Sequence, residues 1–234
     1  MTERKKQIEE NLNTVREKIA AAARAAGRNP EEITLVAVTK NFPAEDVLAA
    51  LECGVAAVGE NRVQEMVEKY DAVPEAKWHI IGHLQTNKVK YIIGKTQLIQ
   101  SVDSIKLLDE IERRSAAAGV ITDVLLQVNT SGEETKSGAS PEEIWDLIDH
   151  VETLKNVRVK GIMTIAPLYV KDVSNTLHFD NTRKLYLDIK GRKYNNISME
   201  ILSMGMSGDF EEAIACGSNM VRIGSSIFGK RQYV

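Results

Sequence analysis

The stretch Q-L-I-Q-S-V-D-S-I-K-L-L-D-E-I-E-R-R-S-A-A-A-G-V-I-T-D-V-L-L-Q-V, residues 97–128, carries the fold in miniature. Its ends, Gln97–Val102 and Ile121–Val128, are short runs nearly continuous in Val, Ile and Leu rather than alternating with polar residues. Strands of a parallel sheet covered on both faces have that composition. Between them, Ile105–Ala118 repeats its apolar residues at the helical period. A strand, a helix and a second strand are expected here. The same alternation continues in both directions. Runs of the same kind lie at Ile33–Thr39, Val55–Gly59, Trp78–Gly82, Val157–Thr164, Ser198–Leu202 and Met220–Gly224, and helical spacing recurs over Ala44–Leu51, Val63–Tyr70 and Glu142–Val151. Alternating βα units imply a parallel sheet, and eight of them close most simply into a (β/α)8 barrel. A doubly wound open sheet is the alternative. The first strand-like run is not followed by the G-x-G-x-x-G that a dinucleotide fold of that kind would carry.

Upstream, Ile8, Leu12, Val15, Ile19 and Ala23 recur at steps of three and four and predict a long amphipathic helix. Gly27 supplies its stop, and Pro30 is expected to prevent a restart before Ile33. The 234 residues, 43% apolar and 27% charged, are enough for a self-sufficient core and show no Pro/Gly/Ser-rich linker or internal repeat. The expectation is one barrel domain over 1–234, with residues 1–27 as a helix packed on it. A net charge of -3 argues against a dedicated nucleic-acid surface. The charged start cannot be a secretory signal, and no apolar run reaches the roughly 18 residues of a membrane helix. A cytoplasmic protein is expected. Cys53 and Cys216 form no CxxC pair and read as small core residues at helix ends.

Barrels of this kind place their chemistry at the C-terminal ends of the strands. The residues that stand there are Lys40, Asn61, His83, Asn129, Thr164, Ser203, Arg222 and the turn Gly224-Ser225-Ser226. Lys40 reads either as a solvated charge or as a Schiff-base amine. The second reading needs its pKa brought from roughly 10.4 towards 7–8, because only the neutral amine attacks a carbonyl. Gly224-Ser225-Ser226 offers unhindered N–H groups after the last strand, where barrels commonly bind phosphate, or else it is an ordinary capped turn. Ser203 could add a hydroxyl. Ser207 reads as the cap of its own helix, whose first turn is crowded by Asp209, Glu211 and Glu212. Arg222 shares a strand face with Gly224 and points either at a ligand or into an internal ion pair. His79 and His83 have the i, i+4 spacing of a helical zinc site but lie across a strand and a Gly turn, so no metal is expected. A helix is expected to begin near Thr86, and Asn129–Ser140 reads as a lid or as a plain loop.

Five motifs, A-V-T-K-N-F-P (37–43), G-E-N-R-V-Q-E (59–65), W-H-I-I-G-H-L-Q-T-N-K (78–88), S-M-G-M-S-G-D (203–209) and V-R-I-G-S-S-I-F-G (221–229), resemble the pyridoxal 5′-phosphate homeostasis proteins, also called proline synthase co-transcribed or YggS-like proteins. The resemblance spans nearly the whole chain. One departure is Ile80, where relatives often carry Phe or Met, and 166–180 match nothing of use. That family is similar to the N-terminal barrel of alanine racemase and of fold-type III decarboxylases. The resemblance implies pyridoxal 5′-phosphate as cofactor, held covalently by Lys40 as a Schiff base. It implies that Ser203, Gly224 and Ser225 cradle the phosphate, that Arg222 faces the pyridine nitrogen, and that Asn61 and His83 line the pocket.

An arginine is a permanent donor, so a pyridine nitrogen facing it stays unprotonated and the ring stabilises carbanions poorly. Racemases of this fold add a base from a second domain, which the chain is expected to lack. The expected function is therefore binding and carriage of the cofactor in vitamin B6 homeostasis, with delivery to apo enzymes and no turnover. The alternatives are a small racemase or decarboxylase using the same cofactor, and a phosphosugar-type barrel with none. The expected partners are the cofactor and apo enzymes that need it, with no nucleic acid and no membrane, in a monomer.

Overall fold

The computed structural model describes residues 2–130, 137–167 and 174–229. Eight parallel strands close into a barrel in chain order. They are β1 (Thr34–Val38), β2 (Ala57–Glu60), β3 (Lys77–Ile80), β4 (Leu98–Val102), β5 (Thr122–Val128), β6 (Val157–Thr164), β7 (Ile197–Ser203) and β8 (Met220–Ile223). β8 pairs back onto β1, with Val36 opposite Arg222, so no edge is left open. The helices are α1 (Glu3–Ala25), α2 (Ala44–Glu52), α3 (Val63–Tyr70), α4 (Ile105–Ala118), α5 (Glu143–Val151), α6 (Thr176–Lys190), α7 (Phe210–Ala215) and α8 (Ser225–Phe228). Among the described residues no helix is long and apolar enough to cross a membrane.

The strand pleat sorts the core into two layers. Val36, Ala57, Leu98, Leu125, Met163 and Met220 fill the barrel interior, while the opposite strand faces pack with the helices into one larger cluster. Both strand faces are therefore buried, which is why the runs read as almost continuous Val, Ile and Leu.

α8 has only four residues, too few to cover the outside of β8 and β1. α1 lies against α2, α7 and α8 and buries the predicted stripe Ile8, Leu12, Val15, Ile19 and Ala23. It is also pinned by polar bonds. Arg4 meets Asp46 of α2 at 2.5 Å and the Phe228 carbonyl at 3.1 Å, and Asn11 donates to the Ile227 carbonyl. Arg28, just past the helix, donates to the carbonyls of Ile214 and Ser218.

One expectation about local structure is corrected. Pro30 does not prevent a restart before Ile33; it opens a single 3-10 turn, Pro30–Glu32, capped by the Asn29 side chain. Proline at the first position of a turn lacks only an N–H that would have had no partner there. The helix expected near Thr86 begins there and is of the 3-10 type, Thr86–Tyr91. Part of the supposed lid, 131–136, lies outside the described residues.

Candidate functional site at the C-terminal mouth

Lys40 follows β1 in a tight turn and is half-buried at the mouth. Its neighbour Asn41 has φ +65, a left-handed conformation that asparagine tolerates better than most residues. Pro43 then caps α2, so the chain has only four residues, 39–42, in which to turn away from the barrel.

Arg222 stands inside the barrel on β8 and is 3% exposed. Its Nη1 donates to Ser203 Oγ at 2.6 Å and its Nη2 to the Thr164 carbonyl at 2.8 Å. Neither partner is a carboxylate. Burial pushes the guanidinium down to about 10, with Asp209 acting in the opposite sense, so it stays charged at neutral pH. The bond from Arg222 sets the direction of a longer chain. Because arginine only donates, Ser203 must accept from it, and the Ser203 hydroxyl donates to Gln100 Oε1 at 2.7 Å. Gln100 Nε2 then faces His79 Nδ1 at 2.8 Å. That nitrogen has to accept, which puts the imidazole proton on Nε2. His79 is deeply buried, and desolvation, aided by Lys77, lowers its pKa to about 4. A neutral imidazole is thus what both the bonding and the burial demand.

Around the mouth, Gly224 approaches β1 so closely that a Cβ there would lie 3.1 Å from the Val38 carbonyl. Its N–H meets the Ser207 hydroxyl at 3.3 Å, and Ser225 is exposed at the start of α8. Ser207 is therefore not a helix cap. Asp209 immediately precedes α7, and its carboxylate accepts from the Met206 N–H and the Asn175 side chain. Asn61, half-buried after β2, is packed backbone to backbone with Gly82 after β3, and a Cβ on Gly82 would meet the Asn61 carbonyl at 2.5 Å. His83 is exposed, with Nδ1 3.9 Å from Asp103.

The structure thus brings Lys40, Asn61, Arg222 and Gly224 to one end of the barrel. Ser203 lies in the interior with its hydroxyl committed to Arg222 and Gln100. His79 and His83 are separated, one inside the barrel and one at the surface, and among the described residues no three His, Cys, Asp or Glu side chains gather as metal ligands. Gln100, the inward role of His79 and the part that the Thr164 carbonyl plays in holding Arg222 were missed by sequence reasoning. The available signal was Gln100 itself, an uncharged polar residue two positions from Leu98 and so on the same, inner face of its strand.

Residues 6–232 match the family model of the N-terminal domain of alanine racemase. A pyridoxal phosphate homeostasis protein of Aquifex aeolicus is 43% identical, the match covering 96% of this chain and 98% of that one. A crystal structure of an unknown protein from Bifidobacterium adolescentis is 34% identical with a TM-score of 0.93, covering 97% of each chain. PipY of Synechococcus elongatus PCC7942, solved with PLP bound, is 29% identical with a TM-score of 0.81, covering 95% of this chain and all of that one.

Proposed function

This chain belongs to the pyridoxal phosphate homeostasis proteins, within the family of the alanine racemase N-terminal domain, and from that premise we propose that it binds pyridoxal 5′-phosphate through Lys40 and carries it without turnover. The residues at the mouth suit that group. Lys40 offers an amine at the end of β1, and Gly224 packs so closely on Val38 that the turn beside it carries no side chain over its backbone N–H groups. Gly224 and Ser225 are the phosphate donors in this reading, with Ser207 beside them. The engagement of Ser203 with Gln100 supports giving it the task of holding Arg222 instead of touching the phosphate. Asn61 and His83 would line the approach.

When bound, the cofactor supplies an aldehyde that condenses with amines and a ring able to withdraw electrons. The observation that carries the reading is Arg222: a buried, charged guanidinium, held by Ser203 and the Thr164 carbonyl. It would donate to a ring nitrogen that faced it, leaving that nitrogen unprotonated and the ring a weaker electron sink. Binding and slow exchange with amines need no such sink, which leaves storage and delivery to apo enzymes in the cytoplasm as the use of the site.

Borohydride reduction of the loaded protein followed by peptide mass mapping should place the adduct on Lys40, and Lys40→Ala should lose both the adduct and the yellow absorbance. Solvent deuterium should not enter the α-position of common amino acids faster than with free cofactor. Enzymatic exchange that disappears in Lys40→Ala would replace the carrier reading with that of a small racemase or decarboxylase.

A further inference from the structure

A buried charged cluster sits behind Lys40, between the barrel wall and α3. Thr39 and Glu60 are fully buried and Lys69 is 8% exposed. Lys69 Nζ donates to Glu60 Oε1 at 2.7 Å and to the Thr39 carbonyl at 2.9 Å. The Thr39 hydroxyl donates to the same Glu60 oxygen at 2.6 Å, while Glu60 Oε2 is buried with no hydrogen-bond partner among the described residues. One turn earlier on α3, Glu65 Oε2 accepts the Asn41 N–H at 2.8 Å and lies 3.9 Å from Lys69 Nζ. The Thr39 carbonyl and the Asn41 N–H belong to the two peptide units that flank Lys40. A single helix therefore grips the backbone on both sides of that residue, from positions i and i+4 on one face. Asn41 is also the only non-glycine residue with positive φ among those described. Charge-assisted bonds of this kind are roughly twice as strong as neutral ones.

A buried Lys–Glu pair is a poor way to gain stability, since well-packed apolar residues often serve as well or better. Burial disfavours the Glu60 carboxylate and raises its pKa, with Lys69 opposing that shift. The pair makes more sense as a fixture. We propose that Glu65 and Lys69, backed by Glu60, are positioning residues that set the direction in which Lys40 leaves the barrel wall, and with it the rate at which Lys40 bonds to the cofactor. The inference rests on Lys40 as the attachment point. In that bonding the neutral amine attacks the aldehyde carbon, a C=N bond replaces C=O, and the oxygen leaves as water with the two amine protons.

The test compares wild type, Lys69→Met, Glu65→Ala and Glu65→Gln. Bond formation with pyridoxal 5′-phosphate is followed by stopped-flow absorbance. Non-covalent fit is measured separately with pyridoxine 5′-phosphate, which carries an alcohol in place of the aldehyde. Lys69→Met and Glu65→Ala should slow bond formation tenfold or more, while their affinity for pyridoxine 5′-phosphate stays within twofold of wild type. Glu65→Gln keeps an oxygen for the Asn41 N–H and should recover most of the rate. A wild-type rate in Lys69→Met and Glu65→Ala overturns the proposal, as does a parallel loss of rate, pyridoxine 5′-phosphate affinity and thermal midpoint, which marks a merely structural role. Should Lys69→Met fail to fold, the Glu65 pair decides alone. Failure of the underlying reading is separately visible, because the reduced wild-type adduct would then map to a lysine other than Lys40.

Discussion

Each side chain in the chain from Arg222 to His79 has its orientation dictated by the one before it, so a change at one end is felt at the other. His79 gives this a pH signature. Unfolded, it titrates near 6.5; folded, its pKa is lowered to about 4, chiefly by desolvation. The unfolded state therefore binds more protons between those values. The stability is present above pH 6.5 and is lost as pH falls to about 4, by about 3 kcal/mol. His79→Gln offers Gln100 an amide oxygen without a titrating group. Its urea midpoint should fall less than that of wild type between pH 6.5 and 4, and equal falls would show that this imidazole contributes nothing to acid sensitivity. Gly224→Asp is the corresponding change at the mouth. A carboxylate placed beside the Val38 carbonyl should weaken pyridoxal 5′-phosphate binding far more than binding of unphosphorylated pyridoxal. Equal losses by equilibrium dialysis would remove the phosphate from that turn.

Among the elements, α1 takes the place that a full-length final helix would fill. Its buried stripe supplies about 1.5–3 kcal/mol per large side chain removed from water. Leu12, fully buried, is the position to probe. Leu12→Ala should cost about 2–5 kcal/mol in chemical denaturation, while Lys6→Ala on the exposed face should cost nearly nothing. If Leu12→Ala leaves the midpoint of the barrel unchanged and only frays α1, then that helix is an appendage and not part of the cooperative unit. α3 carries a different load. Its outer residues are solvated, yet Glu65 and Lys69 turn back towards the barrel, so this short helix is tied to the strand end that bears Lys40.

For the molecule as a whole, closure depends on matching registers around eight strands. β6 shifts register against both of its neighbours, and Gly161 sits at the shift with φ +153. A Cβ there would run into the Ile201 carbonyl of β7. Gly161→Ala combines a backbone conformation closed to alanine with a clash against main chain, and should destabilise the barrel by about 3 kcal/mol or more. Circular dichroism melts would read this directly. A loss under 1 kcal/mol would mean that β6 relaxes without disturbing closure.

The strands, most of the helices and the closed barrel were legible because burial on both faces writes itself into composition, and a helical stripe writes itself into spacing. Ile121–Val128 and Ile8 to Ala23 needed no partner to be recognised. Lys40, Asn61, Arg222 and Gly224 were also legible, since strand ends are local features and the barrel rule sends them all to one mouth. Ser203 and Ser207 were not. Both are serines near the end of β7, and only the position of Arg222 on the next strand decides that the first is bonded inside the barrel. Likewise only the turn at Gly224 decides that the second meets an N–H instead of capping a helix. Nothing in the sequence distinguishes Glu60, Glu65 and Lys69 from the ordinary charges of a helix and a strand end. Hydrogen bonds between residues 20 to more than 100 positions apart have no local signature, because the direction a polar side chain takes is chosen by the partner that packing brings to it.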